Sequence, residues 1–169
     1  MPDTLLQGSS DGFDSIVGHL DYPMFIVTTR SGEELSGCLV GFATQAGIDP
    51  ARFLVGLSEK NRTFRIAKDV ENLAVHVLPA GARELAELFG GRTGDDIDKF
   101  ARCSWTEGPH GLPILDEAAG WFTGRILGQF ELGDHVGFLL EPDRGELRED
   151  SSGLLTFADV KDIDAGHDA

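Results

Sequence analysis

The chain has 169 residues, of which 41% are hydrophobic, and this composition suits one globular domain with a buried core. It carries 14 basic and 29 acidic residues, a formal net charge of −15. Nucleic acids and anionic membrane surfaces bind dense arrays of cations, so this charge excludes both as expected partners. The apolar runs at residues 24–27 and 137–140 are far shorter than the roughly 20 residues that span a bilayer.

Cysteine content and the first residues of the chain bear on its location. Cys38 and Cys103 are too few for a disulfide framework and lack the spacing of a metal site. The first residues have neither the basic nor the apolar region of a secretory signal. We therefore expect a cytoplasmic protein. Residues 1–169 are predicted to form a single domain, with a core over residues 10–150 and a loosely packed acidic tail over residues 151–169.

The first third of the chain is predicted to be a helix followed by strands. A short helix is predicted over residues 10–20, because four apolar residues recur there at helical spacing. These are Phe13, Ile16, Val17 and Leu20. Runs rich in Val, Ile and Phe then predict strands at residues 23–30, 34–42 and 52–57. A hairpin turn with Gly32 at positive φ joins the first two strands.

The rest of the chain combines short helices with further strands. The predicted helices lie at residues 62–70, 82–89 and 95–100. The predicted strands lie at residues 73–78, 103–106, 119–131 and 135–141. Gly90 and Gly91 end the second of these helices as a C-cap would, and residues 132–134 form a tight turn. Many short strands with few helices favour a mainly β fold, an antiparallel Greek-key barrel with short flanking helices.

Residues 52–68 concentrate positive charge in an otherwise acidic chain. They contain five basic residues and one acidic residue, a local charge of +4. A helix start presents unpaired N–H groups that can hold a phosphate, and the centre of this segment stands where a strand gives way to a helix. Asn61 would cap the helix, while Arg62 and Thr63 add a charged donor and a hydroxyl. A solvated helix face with an ordinary cap is an equally weighted alternative.

A second segment, residues 41–50, is poor in charge and rich in small side chains. Such a segment lets the backbone approach a flat ligand closely, and Thr44 and Gln45 can bond to the edges of a ring. A plain edge strand that enters a turn at Asp49 and Pro50 is the alternative, and it is the better interpretation of this segment taken alone.

The order of these segments resembles the flavin reductase-like, FMN-binding split β-barrel family. A strand leads into FATQAGIDP, followed by RFLVGLS, by EKNRT at a helix start and by ENLAVHVL. The resemblance continues through LAELFGG, FARCSW and GLPILDEAAGWF to the triplet Gly133, Asp134 and His135 before GFLLEP. It covers about residues 14–142, and the order and spacing of the motifs are more specific than any one of them.

The resemblance implies an NAD(P)H:flavin oxidoreductase that reduces FMN, with FAD as a second candidate flavin and NAD(P)H as co-substrate. It also implies a homodimer and a flavin-dependent monooxygenase as partner. The residues that match the ring-lining segment are Val40, Gly41, Phe42, Ala43, Thr44 and Gln45. Those that match the phosphate-binding segment are Ser58, Lys60, Asn61, Arg62 and Thr63. His135 matches a histidine near the nicotinamide side and is the catalytic candidate.

The chain departs from the family pattern at LVGFATQAG. Phe42, Gln45 and Gly47 stand where serines are common, and Ala43 stands where a phenylalanine is common, so several hydroxyl groups are lost. A non-enzymatic split barrel that binds a flavin, a deazaflavin or haem is therefore the alternative function. The five histidines lack the close spacing of a metal motif, so no metal site is predicted, and His76 is expected to be a satisfied core residue.

Overall fold

Nine strands and four short helices make up the part of the chain that this computed structural model describes, residues 11–91, 97–148 and 153–163. The strands are β1 (Phe25–Ser31), β2 (Glu34–Val40), β3 (Ala43–Ile48), β4 (Ala51–Ser58), β5 (Asn72–Val77), β6 (Trp105–Glu107), β7 (Pro113–Leu115), β8 (Gly120–Glu131) and β9 (His135–Leu147). The helices are α1 (residues 11–18), α2 (Arg62–Ala67), α3 (Arg83–Gly90) and α4 (Phe157–Val160). Single 3₁₀ turns lie at Lys99–Ala101 and Pro109–Gly111.

Seven strands form one antiparallel sheet in the order β2-β1-β5-β8-β9-β4-β3. Its two edge strands are consecutive in the chain, because β2 ends at Val40 and β3 begins at Ala43. Three peptide steps span at most about 11 Å, so the sheet must curl until its edges nearly meet. No ladder joins β2 to β3 within the described residues. The predicted mainly β, antiparallel split barrel is therefore confirmed.

The inner side of the curled sheet encloses a continuous apolar core. Five strands contribute to it, and Val27, Val75 and Phe138 are among its fully buried members. Helix α2 closes one end of the barrel, where it buries Ile66 and Ala67. β-Branched and aromatic side chains that alternate along the strands point to this core, as the period of two in a strand requires.

Helix α3 covers the outer side of β1 and β2. Helix α3 packs Leu85 and Phe89 against Ile26 and Leu78, and all four side chains are buried. This is the amphipathic face that the spacing of its apolar residues predicts.

The C-terminal segment also packs against this outer side. Leu155 is fully buried, and its backbone bonds to Met24 and Leu78. Val160 of α4 is buried in the same cluster. The expectation of a loosely packed tail is therefore wrong for residues 153–163, because their few apolar side chains complete a core. The remainder of the predicted tail lies outside the described residues.

Exposed apolar side chains mark the outer side of the other half of the sheet, β8-β9-β4-β3. Gly56 on β4 pairs with Gly137 on β9, and Leu132 from the β8–β9 turn folds onto this glycine pair. Phe42 and Phe130 lie beside it, and these two rings and Leu132 remain 48–59% exposed. This half of the barrel therefore presents an apolar surface that we call the outer patch, defined by Phe42, Phe130 and Leu132.

Most of the predicted elements are present. The predicted helices at residues 10–20, 62–70 and 82–89 correspond to α1, α2 and α3. The predicted strands correspond to β1, β2, β4, β5, β6, β8 and β9. Gly32 and Gly133 take φ values of 60° and 84° in the two predicted turns, a backbone region that favours glycine.

The differences are local. Residues 43–48 form edge strand β3, the conformation that the alternative interpretation expected, and the role of the segment in ligand binding stays a prediction. The predicted helical turn at residues 95–100 is a 3₁₀ turn at Lys99–Ala101, and residues 95 and 96 lie outside the described part. Strand β7 and helix α4 were not predicted. Gly91 caps α3 with a right-handed backbone, φ −96°, so it does not serve as a left-handed C-cap.

Candidate functional site

The segment predicted to line a flat ligand lies on an exposed edge of the sheet. Val40 is buried at the end of β2, and Phe42 leads into β3 with its ring largely exposed. The side chains of Thr44 and Gln45 are exposed, and their hydrogen bonds within the described residues are local, from the Thr44 hydroxyl to the Gln45 carbonyl and from the Gln45 amide to the Gly47 carbonyl. Within the described residues β3 pairs only with β4, so its other side leaves backbone donors and acceptors open to a ligand.

Gly41 fixes the path of the chain from β2 to β3. A Cβ at this position would lie 2.8 Å from Cε2 of Tyr22 and 3.4 Å from Sδ of Met24. Tyr22 is itself stacked on Phe157, with ring centroids 5.0 Å apart. A larger residue at position 41 would displace this packing, so glycine is required here by close contact rather than by an unusual φ angle.

Phe42 and His135, far apart in the sequence, are in contact. Their ring centroids are 4.9 Å apart in an edge-to-face arrangement, and the His135 side chain is 16% exposed. Nδ1 of His135 lies 2.8 Å from Oδ1 of Asp134, so the Nδ1–H group donates a hydrogen bond to the carboxylate and Nε2 is directed away from Asp134. This hydrogen bond lowers the pKa of the Asp134 carboxyl below its usual value. The predicted ring segment and the predicted catalytic histidine thus form one surface.

Ser58 joins this surface to the basic segment. It pairs with His135 across the β4–β9 ladder, and its Oγ accepts a hydrogen bond from the backbone N–H of Lys60. The backbone N–H of Glu59 bonds to the Asp134 carbonyl, so the turn before α2 is tied to the turn before β9. The side chain of Lys60 is exposed beside this junction.

Asn61 is the N-cap of α2, as predicted. Its backbone is extended, and Oδ1 accepts a hydrogen bond from the Thr63 N–H at 2.8 Å. Thr63 itself is fully buried, and its hydroxyl is 2.9 Å from that of Ser36. The expectation that the Thr63 hydroxyl is presented to a phosphate is not met in this geometry, because that hydroxyl anchors α2 to β2. Helix α2 has only six residues, so its dipole is small.

Arg62 points along β2 towards the start of that strand. Its guanidinium donates to Oε1 of Glu34 at 2.8 Å and to the Leu35 carbonyl at 3.0 Å. Arg62 and Glu34 line a cavity of about 510 Å³ between β2 and the 3₁₀ turn at Lys99–Ala101. This volume lies in the range of small-molecule sites. Sequence reasoning identified Arg62 but missed Glu34, since only the fold brings this carboxylate to it.

Lys99 lines the same cavity and was not predicted. Its side chain is 5% exposed, and Nζ donates to the Phe89 carbonyl at 2.9 Å and to the Gly37 carbonyl at 3.3 Å. Burial lowers the pKa of the Lys99 ammonium, and the charge of Arg62 acts in the same direction. A lysine in a polar predicted turn ordinarily lies in solvent, so the sequence carried no signal of its burial.

Within the described residues, no group of three or more histidine, cysteine, aspartate or glutamate side chains is arranged to hold a metal ion. Among the helices of the same ranges, none has the length and apolar character needed to cross a membrane.

Comparison with known proteins decides the family. The model of the flavin reductase like domain matches residues 17–162, most of the chain. The chain belongs to the flavin reductase-like family. The 4-hydroxyphenylacetate 3-monooxygenase reductase component of Pseudomonas aeruginosa is 26% identical to this family member over 154 residues, which cover 90% of this chain and 91% of that protein. The FMN reductase (NADH) RutF of Klebsiella pneumoniae is 28% identical over 123 residues, 73% of this chain and 74% of the relative.

Solved structures of the flavin reductase-like fold agree with the architecture described above. The NADH:FAD oxidoreductase SgcE6 of Streptomyces globisporus C-1027 matches with a TM-score of 0.77 at 21% identity, covering 90% of this chain and 86% of that one. An FMN-binding protein from Thermus thermophilus matches with a TM-score of 0.73 at 23% identity, covering 77% and 72% of the two chains. At these identities the likeness establishes the fold.

Proposed function

We propose that this chain is an NAD(P)H:flavin oxidoreductase that reduces FMN, or FAD in its place. Its membership of the flavin reductase-like family supports this function, as do the names of its relatives. The contact between Phe42 and His135 is the main structural support for the location of the proposed site. It brings the ring-lining segment and the candidate catalytic residue onto one surface.

The residues present fit a flavin at this surface. When bound, the flavin supplies the ring that accepts hydride from NAD(P)H, so the protein needs to bind and orient both molecules. The open backbone edge of β3 would contact the ring, and Phe42 would pack beside it. Asp134 holds the His135 imidazole by Nδ1, which leaves Nε2 for the nicotinamide side. Ser58 and Lys60 would lie at the junction towards the phosphate.

Arg62 is the proposed phosphate ligand within this function. A charge-assisted bond of this kind contributes roughly 1.5–3 kcal/mol, so we expect Arg62→Ala to weaken FMN binding by that amount and to leave riboflavin binding nearly unchanged. Arg62→Lys keeps the charge but not the planar fork, and it should lose less. Titration of flavin fluorescence measures both ligands. Equal losses for FMN and riboflavin would remove the phosphate role.

Turnover is tested by steady-state oxidation of NADH and NADPH with added FMN or FAD. We expect oxidation above background with at least one donor and one flavin, and a lower rate for His135→Ala at saturating flavin. An absorption spectrum of the purified protein identifies any flavin, deazaflavin or haem that it retains. A flavin-loaded protein inert towards both donors would instead establish the non-enzymatic alternative.

A homodimer is part of this proposal, and helix α1 supports it. Every residue from 11 to 20 is exposed, including the apolar stripe of Phe13, Ile16, Val17 and Leu20. Tyr22 packs against Gly41, next to Phe42, so the chain leaves α1 close to the outer patch. The stripe and the outer patch together expose on the order of 800 Å² of apolar side chain, about what each partner of a stable complex buries. A second copy of this chain would cover it.

The partner and location predicted from the sequence remain proposals. A flavin-dependent monooxygenase is the proposed recipient of the reduced flavin, and this is supported by the Pseudomonas aeruginosa relative, which is named as the reductase component of a monooxygenase. A cytoplasmic location is supported by the two cysteines, which are both free thiols, because thiols persist in a reducing compartment.

A further inference from the structure

The guanidinium of Arg62 is already bonded to an anion of its own chain. Oε1 of Glu34 lies 2.8 Å from its Nη2, and the Leu35 carbonyl accepts from Nη1 at 3.0 Å. Both acceptors belong to the start of β2, so the ion pair sets the direction of the Arg62 side chain across the mouth of the cavity.

Two cations and three carboxylates line the cavity at this end of β2, namely Arg62 and Lys99 with Glu33, Glu34 and Asp98. The ammonium of Lys99 is nearly fully buried there, and its two hydrogen bonds go to the carbonyls of Phe89 and Gly37 rather than to a carboxylate. Among these carboxylates, Glu34 is in direct contact with Arg62, at 2.8 Å. It is also exchangeable, because its side chain is 55% exposed and that of Arg62 is 23% exposed. Ion pairs with this much solvent contact are weak and give way to competing anions.

We propose that Glu34 is a built-in competitor for the flavin phosphate, and that it sets how tightly this protein discriminates phosphorylated flavins from riboflavin. The inference rests on the proposed function, in which Arg62 binds that phosphate. An incoming phosphate must displace the Glu34 carboxylate from Arg62, so the loss of this ion pair offsets part of the free energy of phosphate binding. Riboflavin has no phosphate and does not enter this competition.

The competition has a consequence for product release. The phosphate is the same in oxidised and reduced FMN, so Glu34 weakens the binding of both forms equally. A protein that hands reduced flavin to a separate monooxygenase needs the flavin to leave after each reduction. Glu34 would favour this departure, because its carboxylate re-forms the pair with Arg62 as the phosphate withdraws.

The test compares Glu34→Gln with Glu33→Gln by flavin fluorescence titration at low ionic strength. Glu33 is the matched control, because it is the preceding residue, its side chain is fully exposed and it lies 3.9 Å from Arg30. We expect Glu34→Gln to bind FMN about two- to fivefold more tightly, with riboflavin unchanged. Glu33→Gln should bind both flavins as the unmodified protein does.

Arg62→Ala separates this inference from the function on which it rests. In the Arg62→Ala background, adding Glu34→Gln should give no further gain in FMN affinity, since the competition no longer exists. If Arg62→Ala weakens FMN selectively but Glu34→Gln leaves FMN affinity unchanged, the competitor role is wrong and the phosphate site stands. If Arg62→Ala affects FMN and riboflavin alike, the phosphate site itself is wrong. An equal gain in FMN affinity for Glu33→Gln would show that Glu34→Gln acts through the general loss of negative charge and not through competition for Arg62.

Discussion

The imidazole of His76 is fully buried between β1 and β7, and both of its nitrogens are used. Nδ1 donates to the Ile26 carbonyl at 2.9 Å, and Nε2 accepts from the Leu115 N–H at 3.1 Å. Burial lowers the pKa of His76 from 6.5 to about 4. The sequence-based expectation of a satisfied core histidine is therefore confirmed, and the residue is neutral in the folded protein at neutral pH.

This histidine should make the fold less stable in acid. Between pH 6.5 and pH 4, His76 is protonated in the unfolded chain but neutral in the folded protein. The free energy of unfolding therefore falls as the pH falls through that window. The full loss is about 3 kcal/mol at its lower end. Urea unfolding of the unmodified protein and of His76→Gln at pH 7.0 and 5.0 measures it, and the variant should lose less stability. Equal losses in both proteins would contradict the assignment.

Some features of the site could be predicted from local sequence, and others depend on contacts that form only in the folded chain. The concentration of basic residues at 52–68 pointed to Arg62, and the cap at Asn61 was predictable from local chemistry alone. Glu34 was not, because it is distant in sequence and meets Arg62 only after β2 and α2 pack. The burial of the Thr63 hydroxyl is of the same kind, since it depends on Ser36 in another strand.

Helix α3 is held against β2 by a glycine at its last turn. A Cβ on Gly90 would lie 2.6 Å from Cδ2 of Leu39 and 3.0 Å from its Cβ. The sequence suggested that this glycine ends the helix, whereas its structural reason is the close approach of helix and strand.

Gly90→Ala should therefore destabilise the fold by roughly 1–3 kcal/mol, because the added methyl group forces α3 away from β2 or Leu39 out of position. Gly81→Ala, just before α3, is the control, as a Cβ there meets nothing within 4 Å. It should change stability by less than about 0.5 kcal/mol. Thermal and urea unfolding of both variants give the comparison, and similar midpoints would show that the helix can shift at little cost.

Elements with a full period of apolar residues were predictable, and the short ones were not. The spacing within α1 and α3 and the alternation within the strands each needed only local sequence. Strand β7 has three residues and α4 has four, too few to display a period. They are stabilised by tertiary contacts, as the burial of Leu115 and Val160 shows. Residues 43–48 were ambiguous because small, exposed side chains carry no pattern that distinguishes a strand from a ligand loop.

At the scale of the whole molecule, the split barrel followed from the number and order of strands together with the family resemblance. The sequence did not predict which half of the barrel is covered by helices. An apolar residue has the same sequence signal whether it packs against its own chain or against another. The exposed stripe on α1 and the outer patch became visible only when α3 and the C-terminal segment were found on the opposite half.

The proposed dimer predicts a change in mass for one substitution and not for its control. Ile16→Asp places a charge in the exposed apolar stripe of α1 and should give a monomer of 18.2 kDa in sedimentation or light scattering. We expect the unmodified chain to behave as a dimer in the same measurement. Ser15→Asp adds the same charge on the opposite side of α1 and should remain dimeric. A monomeric unmodified chain would rule out the dimer.

The exposed edge of β3 favours aggregation, and the negative charge of the chain opposes it. In the part of the chain that the structure describes, no strand pairs with the outer edge of β3, and Ile48 on this strand is 85% exposed. Such an edge is a template on which strands of other molecules can grow into aggregates. The formal charge of −15 opposes this non-specific growth through mutual repulsion of the molecules. Variants with fewer acidic residues, engineered to bind anionic flavins more tightly, would therefore be less soluble, because their molecules would repel one another less.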